Sequence, residues 1–264
     1  QYTYWDLSVK RRQASDLGYT VLLSLIRRPE TDDVEDLLGE MLSRHVDGVI
    51  WAVPQIGGNR VWVQQQKPQL PVPILFLSME PISDQFVVAV DNYNGGLLAT
   101  RHLISRDHQN VGLICGPFAW WESRERMRGW RDALQGAGLS GTDDFVVEGN
   151  WTATSGEQAL KVLLNRCPQI DSVFVCNDRM ALGALTAARE LGRRVPQDLA
   201  VVGFDDIPDA AYFCPSLSTV HQGLVELGRR AVRELGRVLE ANREDVAAMT
   251  RSVLLQPRLV VRES

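Results

Sequence analysis

Polar and aromatic side chains recur at one kind of position in this chain, just after a short apolar run. Asn177 and Asp178 follow Val173–Cys176, and Asp205 and Asp206 follow Leu199–Phe204. Trp120 and Trp121 come a few residues after Val111–Cys115, and Trp151 lies in the loop after Phe145–Val147. Arg126 sits among Arg124, Arg128 and Arg131 on a helix that starts soon after Cys115. A face so rich in arginine is ordinarily solvated, so Arg126 bears on function only if its turn faces the mouth of the sheet. Together these positions offer an amide, a carboxylate, a guanidinium and indole faces. A sugar ring calls for that mixture: its rim of donor–acceptor pairs meets Asp, Asn and Arg bidentately, and its C–H faces pack on aromatic rings. No nucleophile–base pair or metal-ligand cluster accompanies them. The expected chemistry is binding without turnover, with no metal and no cofactor.

Each candidate has a plainer reading beside it. Asn177 either finishes a turn or faces a ligand, and the recurrence of the pattern favours the ligand. Asp178 is placed to be the N-cap of the helix that runs on through Glu190 and Leu191. Adjacent carboxylates rarely reach one atom, so Asp205 is expected to face the cleft while Asp206 supports the turn. A single exposed Trp can merely cover an edge, but three on loops at strand exits point to an aromatic-lined pocket.

Other motifs exclude more than they suggest. Gly136-Ala137-Gly138-Leu139-Ser140-Gly141 matches the dinucleotide fingerprint in letters, yet it ends a helix instead of opening one. No P-loop, H-E-x-x-H or G-x-S-x-G motif occurs. His45, His102, His108 and His221 are scattered, with no carboxylate or cysteine cluster near them in sequence, and read as structural or exposed. Cys115, Cys167, Cys176 and Cys214 lack metal-like spacing; buried thiols are expected, which favours a reducing compartment.

The elements that must position these residues alternate. A weakly amphipathic stretch, Asp6–Leu17, ends at Gly18, and Thr20–Ile26 reads as a strand. Thr31–Arg44 is a helix, Gly48–Val53, Pro73–Leu77 and Val87–Val90 are strands, and the segment to Leu70 is poorly defined. From Asn92 the pattern restarts: helices at Asn92–Ser105, Arg124–Ala137 and Ser155–Asn165, strands at Val111–Cys115 and Phe145–Val147. The run Val173–Cys176 and its helix follow, then Leu199–Phe204, the short strand Leu217–Val220, the long helix Leu224–Leu239 and a β ending at Val253–Leu255 and Leu259–Val261. Such alternation predicts an α/β fold with doubly wound parallel sheets, and 264 residues hold too many units for one sheet, so two lobes are expected. A net charge of −5 makes the surface a poor partner for phosphate backbones. No apolar run approaches the roughly 18–20 residues of a membrane span.

In this order, Val90-Asp91-Asn92 with Gly95-Gly96, His102-Leu103 with His108, Gly112–Pro117, Arg126 with Gly129-Trp130, Cys176–Leu185, Val201–Asp206, Pro215–Val220 and Pro257–Ser264 resemble the effector-binding core of the LacI/GalR family of transcription repressors. Gly18-Tyr19 and Val46–Ile50 extend the likeness into the first half. The resemblance implies two Rossmann-like lobes joined by three crossovers, as in type I periplasmic binding proteins, with a small molecule between them. The first lobe would hold residues 1–90 plus 223–256, and the second 91–222 plus 257–264. It places Arg126, Asn177, Asp205 and Gln222 on the family's polar ligand contacts and Trp151 on an aromatic one. Ser78 falls where the lac repressor has an aspartate, which leaves the identity of the sugar open. Tyr4 and Trp5 fall near a first βα loop that also touches ligand. The helix-turn-helix headpiece and the first strand of the first lobe are not matched, so operator DNA would be bound only through a headpiece outside these residues.

By the same resemblance the intact regulator is a cytoplasmic homodimer that binds a small carbohydrate effector and transmits it allosterically. The rival is a periplasmic sugar-binding protein of transport or chemotaxis, which shares the two-lobe fold; an enzyme ranks third. Arg126→Ala and Asp205→Ala are expected to abolish ligand binding and leave the fold intact.

Overall fold

The computed structural model describes residues 13–25, 34–55, 71–83, 85–241 and 252–264. The chain divides into two compact units, Gln1–Val90 with Gly223–Leu255 and Asp91–Gln222 with Gln256–Ser264, and so passes between them three times.

In the first unit, α1 (Val34–Ser43) precedes β1 (Val49–Trp51), β2 (Ile74–Leu77) and β3 (Phe86–Val90). The second unit opens with α2 (Asn92–Ile104), β4 (Val111–Cys115), α3 (Trp121–Gly136), β5 (Val146–Glu148) and α4 (Ala153–Arg166). It continues with β6 (Ser172–Val175), α5 (Asp178–Glu190), β7 (Ala200–Asp205) and β8 (Ser218–His221). The chain then returns to the first unit for α6 (Leu224–Glu240) and β9 (Ser252–Leu255), and ends in the second with β10 (Arg258–Val260).

The first sheet has the order β1-β2-β3-β9, all parallel. Leu75, Leu77, Val88 and Val90 pack there against Leu227 and Ala231 of α6. The apolar run at Thr20–Ile26 is not a strand: its described residues carry no ladder. Val21, Leu22, Leu23 and Leu25 are exposed. Apolarity supplies a surface to bury but no backbone partner, and among the described residues no strand pairs with this run.

The second sheet has the order β10-β8-β7-β6-β4-β5, parallel except for the terminal β10 pairing. Every residue of β4 and β6 is buried, as continuous apolar runs in a covered parallel sheet require. Helices α2 and α3 pack closely on each other, as do α4 and α5. Small residues allow this. A Cβ on Gly96 would stand 2.3 Å from the Arg126 carbonyl oxygen, and one on Gly129 would stand 2.2 Å from that of Tyr93.

Gln256 belongs to the second unit, where its amide donates to Asp91 Oδ2 and its carbonyl accepts from Asn94 Nδ2. The glycine motif at 136–141 does end α3, with Gly138 at φ +71. All four cysteines are free, with Cys115, Cys167 and Cys176 buried and Cys214 exposed. Two histidines, His108 and His221, do have carboxylate partners, Asp171 and Asp206, brought to them by the fold and not by sequence proximity. No helix among the described residues is long and apolar enough to cross a membrane.

Candidate functional site

In the second sheet β4 lies between β5 and β6, so the chain turns to one side after β4 and to the other after β5. That makes the carboxyl ends of β4 and β6 a topological switch point, the place where open α/β sheets leave a crevice. The residues singled out above gather there: Trp120 is the N-cap of α3, Trp151 follows β5, Asn177 follows β6 and Asp205 ends β7.

Arg126 sits at the centre, and it is not on a solvated face. It is 5% exposed, with Nε donating to Asn92 Oδ1 at 2.8 Å and a terminal nitrogen donating to the Cys176 carbonyl. Its guanidinium carbon stands 3.6 Å from the Phe204 ring centroid and 5.8 Å from that of Trp151. Its nearest contact with the Asp205 carboxylate is 3.9 Å. So held, the guanidinium is a fixed cation above apolar rings, and it is also part of the packing. Arg126→Ala would remove the buried hydrogen bonds to the Asn92 amide oxygen and the Cys176 carbonyl, so the fold is not indifferent to it.

Asp205 and Asp206 occupy left-handed backbone, at φ 123 and 58, a conformation that costs energy and persists only where neighbours enforce it. Here they do. Asp206 is tied to Arg262 at 2.7 Å and to His221 Nδ1 at 2.9 Å. The Ile207 N–H donates to Asp178 Oδ2 at 2.9 Å. Gln222 donates to Asp205 Oδ1, which aims the carboxylate. Burial pushes the Asp205 carboxyl up, against the pull of Arg126 and the Gln222 amide. Burial also pushes Asp206 up, but hydrogen bonds from Arg262 and His221 outweigh it and hold that group below the usual range.

The cap of α5 moves by one residue. The N-cap of α5 is Asn177, not Asp178: its side-chain oxygen accepts from Met180 N at 2.8 Å, while its Nδ2 donates to the Trp151 carbonyl at 3.1 Å. Asp178 is the first helical residue and fully buried, and it accepts instead from Ile207 N and the Thr219 hydroxyl. The capping geometry favours the residue just before the first helical turn, and β6 stops one residue earlier than the apolar run does. Burial, then the charge of Asp205, pushes the Asp178 carboxyl well above the ordinary range. Asn177 therefore performs the turn-finishing role and retains one amide hydrogen for another partner.

The tryptophans divide as well. Trp121 is not a loop residue; it is buried in the first turn of α3. Trp120 and Trp151 meet edge to face, with centroids 5.6 Å apart. A Cβ on Gly116 would lie 2.1 Å from the Trp151 ring, so glycine lets the indole lie over the end of β4. Ser78 lies in the first unit, after β2, at φ 56, with its N–H donating to the Val88 carbonyl. Tyr4 and Trp5 lie outside the described residues.

Sequence reasoning assigned no role to Asn92, Phe204 or Glu122. Asn92 opens α2 directly after a strand, a position that could have drawn attention; the ring of Phe204 could not, because nothing local shows a guanidinium stacking on it. Burial pushes the Cys115 thiol up to about 12 and that of Cys176 higher still, so neither offers a thiolate. Among the described residues no group of His, Cys, Asp and Glu side chains could hold a metal ion.

The sequence matches the family of periplasmic-binding-protein-like domains over residues 100–264. It is 30% identical over 247 residues to the transcriptional repressor PurR of Haemophilus influenzae, covering 94% of this chain and 72% of that one. Among solved structures, the complex of the transcriptional regulator CelR with cellobiose superposes with a TM-score of 0.85 at 31% identity, over 99% of this chain and 78% of the other. The lac repressor dimer bound to operator and the anti-inducer ONPF gives a TM-score of 0.85 at 29% identity, over 97% and 87%.

Proposed function

We propose, for a chain that belongs to the LacI/PurR family of transcriptional repressors, that these residues form the repressor's effector-binding core and that its effector is a sugar. The observation that carries this reading is the setting of Arg126: a buried guanidinium beside Asp205, flanked by Trp151 and Phe204 at the switch point of the second sheet. Arg126, Asp205 and the free hydrogen of Asn177 supply hydrogen bonds to ring hydroxyls, and the Trp120–Trp151 pair supplies a surface for C–H faces. Gln222 orients Asp205. Ser78 and Trp5 are carried into the proposal by the family resemblance alone, with Ser78 offering an uncharged hydroxyl. The CelR relative, named for its cellobiose complex, favours a neutral sugar.

The activity is binding without catalysis. A ligand that prefers one of two conformations of the protein shifts their populations by its differential affinity, and linkage makes the effect on operator DNA reciprocal. The working protein is a homodimer in the cytoplasm, acting on operator DNA as its relative does. A thermal-shift series with cellobiose, lactose, a sugar phosphate and a purine base tests the reading. A sugar at a hundredfold excess over its dissociation constant stabilises by about 2.7 kcal/mol. Stabilisation by the purine alone, or by no sugar, would overturn it.

A further inference from the structure

One buried acid beside the site is not among the groups proposed to meet the effector. Asp178 is fully buried, and its carboxylate lies over β7: a Cβ on Gly203 would collide with Asp178 Oδ1. Positions 203 and 205 alternate onto one face of that strand, so Asp178 takes the side-chain place next to Asp205. β8 meets this row in register, with Thr219 opposite Gly203 and His221 opposite Asp205. One short segment therefore touches three acids: Thr219 donates to Asp178, Gln222 donates to Asp205, and His221 pairs with Asp206.

The partners differ in kind. Asp205 meets the Gln222 amide and the Arg126 guanidinium, whose N–H groups only donate and so favour an ionised carboxylate. Asp178 accepts the Ile207 N–H on Oδ2, but on Oδ1 it meets the Thr219 hydroxyl, which can accept as readily as it donates. The acids facing Asp178 are Asp205 and Asp206 of β7. Arg126 and Arg179 act on Asp205, and Arg262 and His221 on Asp206, while burial keeps the Cys176 thiol uncharged.

We propose that Asp178 is a proton-linked positioning residue: one proton, held on Asp178 Oδ1 and donated to the Thr219 oxygen, leaves Asp205 as the single anion that meets the effector beside Arg126. The raised pKa of Asp178, from burial and then the charge of Asp205, agrees with a proton held there. Losing it sets two negative charges side by side, and a ligand that expels water strengthens their repulsion. The ligand therefore prefers protonated Asp178, and affinity falls as pH rises through the raised value. By linkage, ligand binding on the alkaline side takes up a proton. The effect on affinity rests on the reading that Asp205 contacts the effector; the place of the proton does not.

Two experiments test this. In the first, isotope-labelled aspartate carboxyl carbons are followed by NMR from pH 5 to pH 9 without ligand, in the native chain and in Asp178→Asn. One carboxyl should stay protonated at neutral pH, ionise on the alkaline side and be missing from the variant. Ionisation of Asp178 below pH 5 would overturn the proposal. In the second, cellobiose is titrated calorimetrically at pH 7 and pH 9. Native affinity should fall by about fivefold or more. Asp178→Asn, whose amide donates to Thr219 and whose carbonyl accepts from Ile207 as the protonated acid does, should bind equally at both. No fall in the native chain, or the same fall in the variant, would overturn the proposal and leave the sugar reading standing. If cellobiose binds at neither pH, that failure counts against the sugar reading, and the ligand-free titration decides the proposal. Should the variant melt early, the native chain's own Asp178 titration decides.

Discussion

The two sheets of this protein are built from the same kind of strand but hold their surroundings differently. In the second, β4, β6 and most of β7 are buried on both faces, and the ends of β6 and β7 carry Asn177 and Asp205, each held by named partners. In the first, β9 is only half-buried, and the apolar residues 21–25 stand exposed with no ladder. The difference teaches where a binding face can be precise. Arg126 keeps one orientation because Asn92, the Cys176 carbonyl and Phe204 hold it, and those are anchored in turn by a filled core. Among the described residues, Ser78 is held by the hydrogen bond from its N–H to the Val88 carbonyl.

The sharpest way to break this contrast is to empty the second core. Phe174 is fully buried in β6, and Phe174→Ala should cost about 3–5 kcal/mol. Denaturant unfolding measures it, and a loss under 1 kcal/mol would show that the second sheet is not the rigid scaffold described. Next comes Arg126→Ala, which should cost roughly 2–3 kcal/mol of stability as well as sugar binding, through the buried hydrogen bonds to Asn92 and Cys176 that it removes. Loss of binding with an unchanged melting temperature would make Arg126 a ligand contact alone.

A smaller, pH-dependent effect should separate Asp178 from an ordinary buried acid. Its folded pKa is raised above the unfolded value, chiefly by burial. The folded state therefore holds the proton more tightly, and stability is fully present below the ordinary carboxylate pKa of about 4 and is lost as pH rises through the raised value. Asp178→Asn lacks that loss. Melting curves at pH 5 and pH 8 should show the native protein losing ground to the variant as pH rises; the reverse order would contradict the sign. Smallest of all, Leu23→Ser, at a residue 53% exposed in the first unit, should stay within about 0.5 kcal/mol of the native protein.

The alternation of strands and helices in the second unit was legible because each apolar run is bounded by a polar corner, and α/β topology then fixes which ends share an edge. Asn177, Asp205, Trp120 and Trp151 could be singled out from that rule, and they stand in one unit after or at the ends of strands, with Arg126 inside α3. What could not be read were the contacts made across the chain. Whether Arg126 is solvated depends on Asn92, 34 residues away, and on Cys176, 50 residues away. That Asn177 and not Asp178 caps α5 turns on where β6 stops and on the Thr219 and Ile207 partners of Asp178, none of which a local pattern encodes. The run at Thr20–Ile26 has strand composition, yet composition cannot supply the neighbour that a ladder requires.

Asp205→Asn keeps the size of the side chain and one acceptor oxygen for Gln222, while removing its charge and the second acceptor. Calorimetric titration of cellobiose and related neutral sugars into the native chain and into this variant tests the binding face most directly. A sugar that binds the native chain and is at least tenfold weaker on the variant is the expected result; equal affinity for both would place the ligand elsewhere on the molecule.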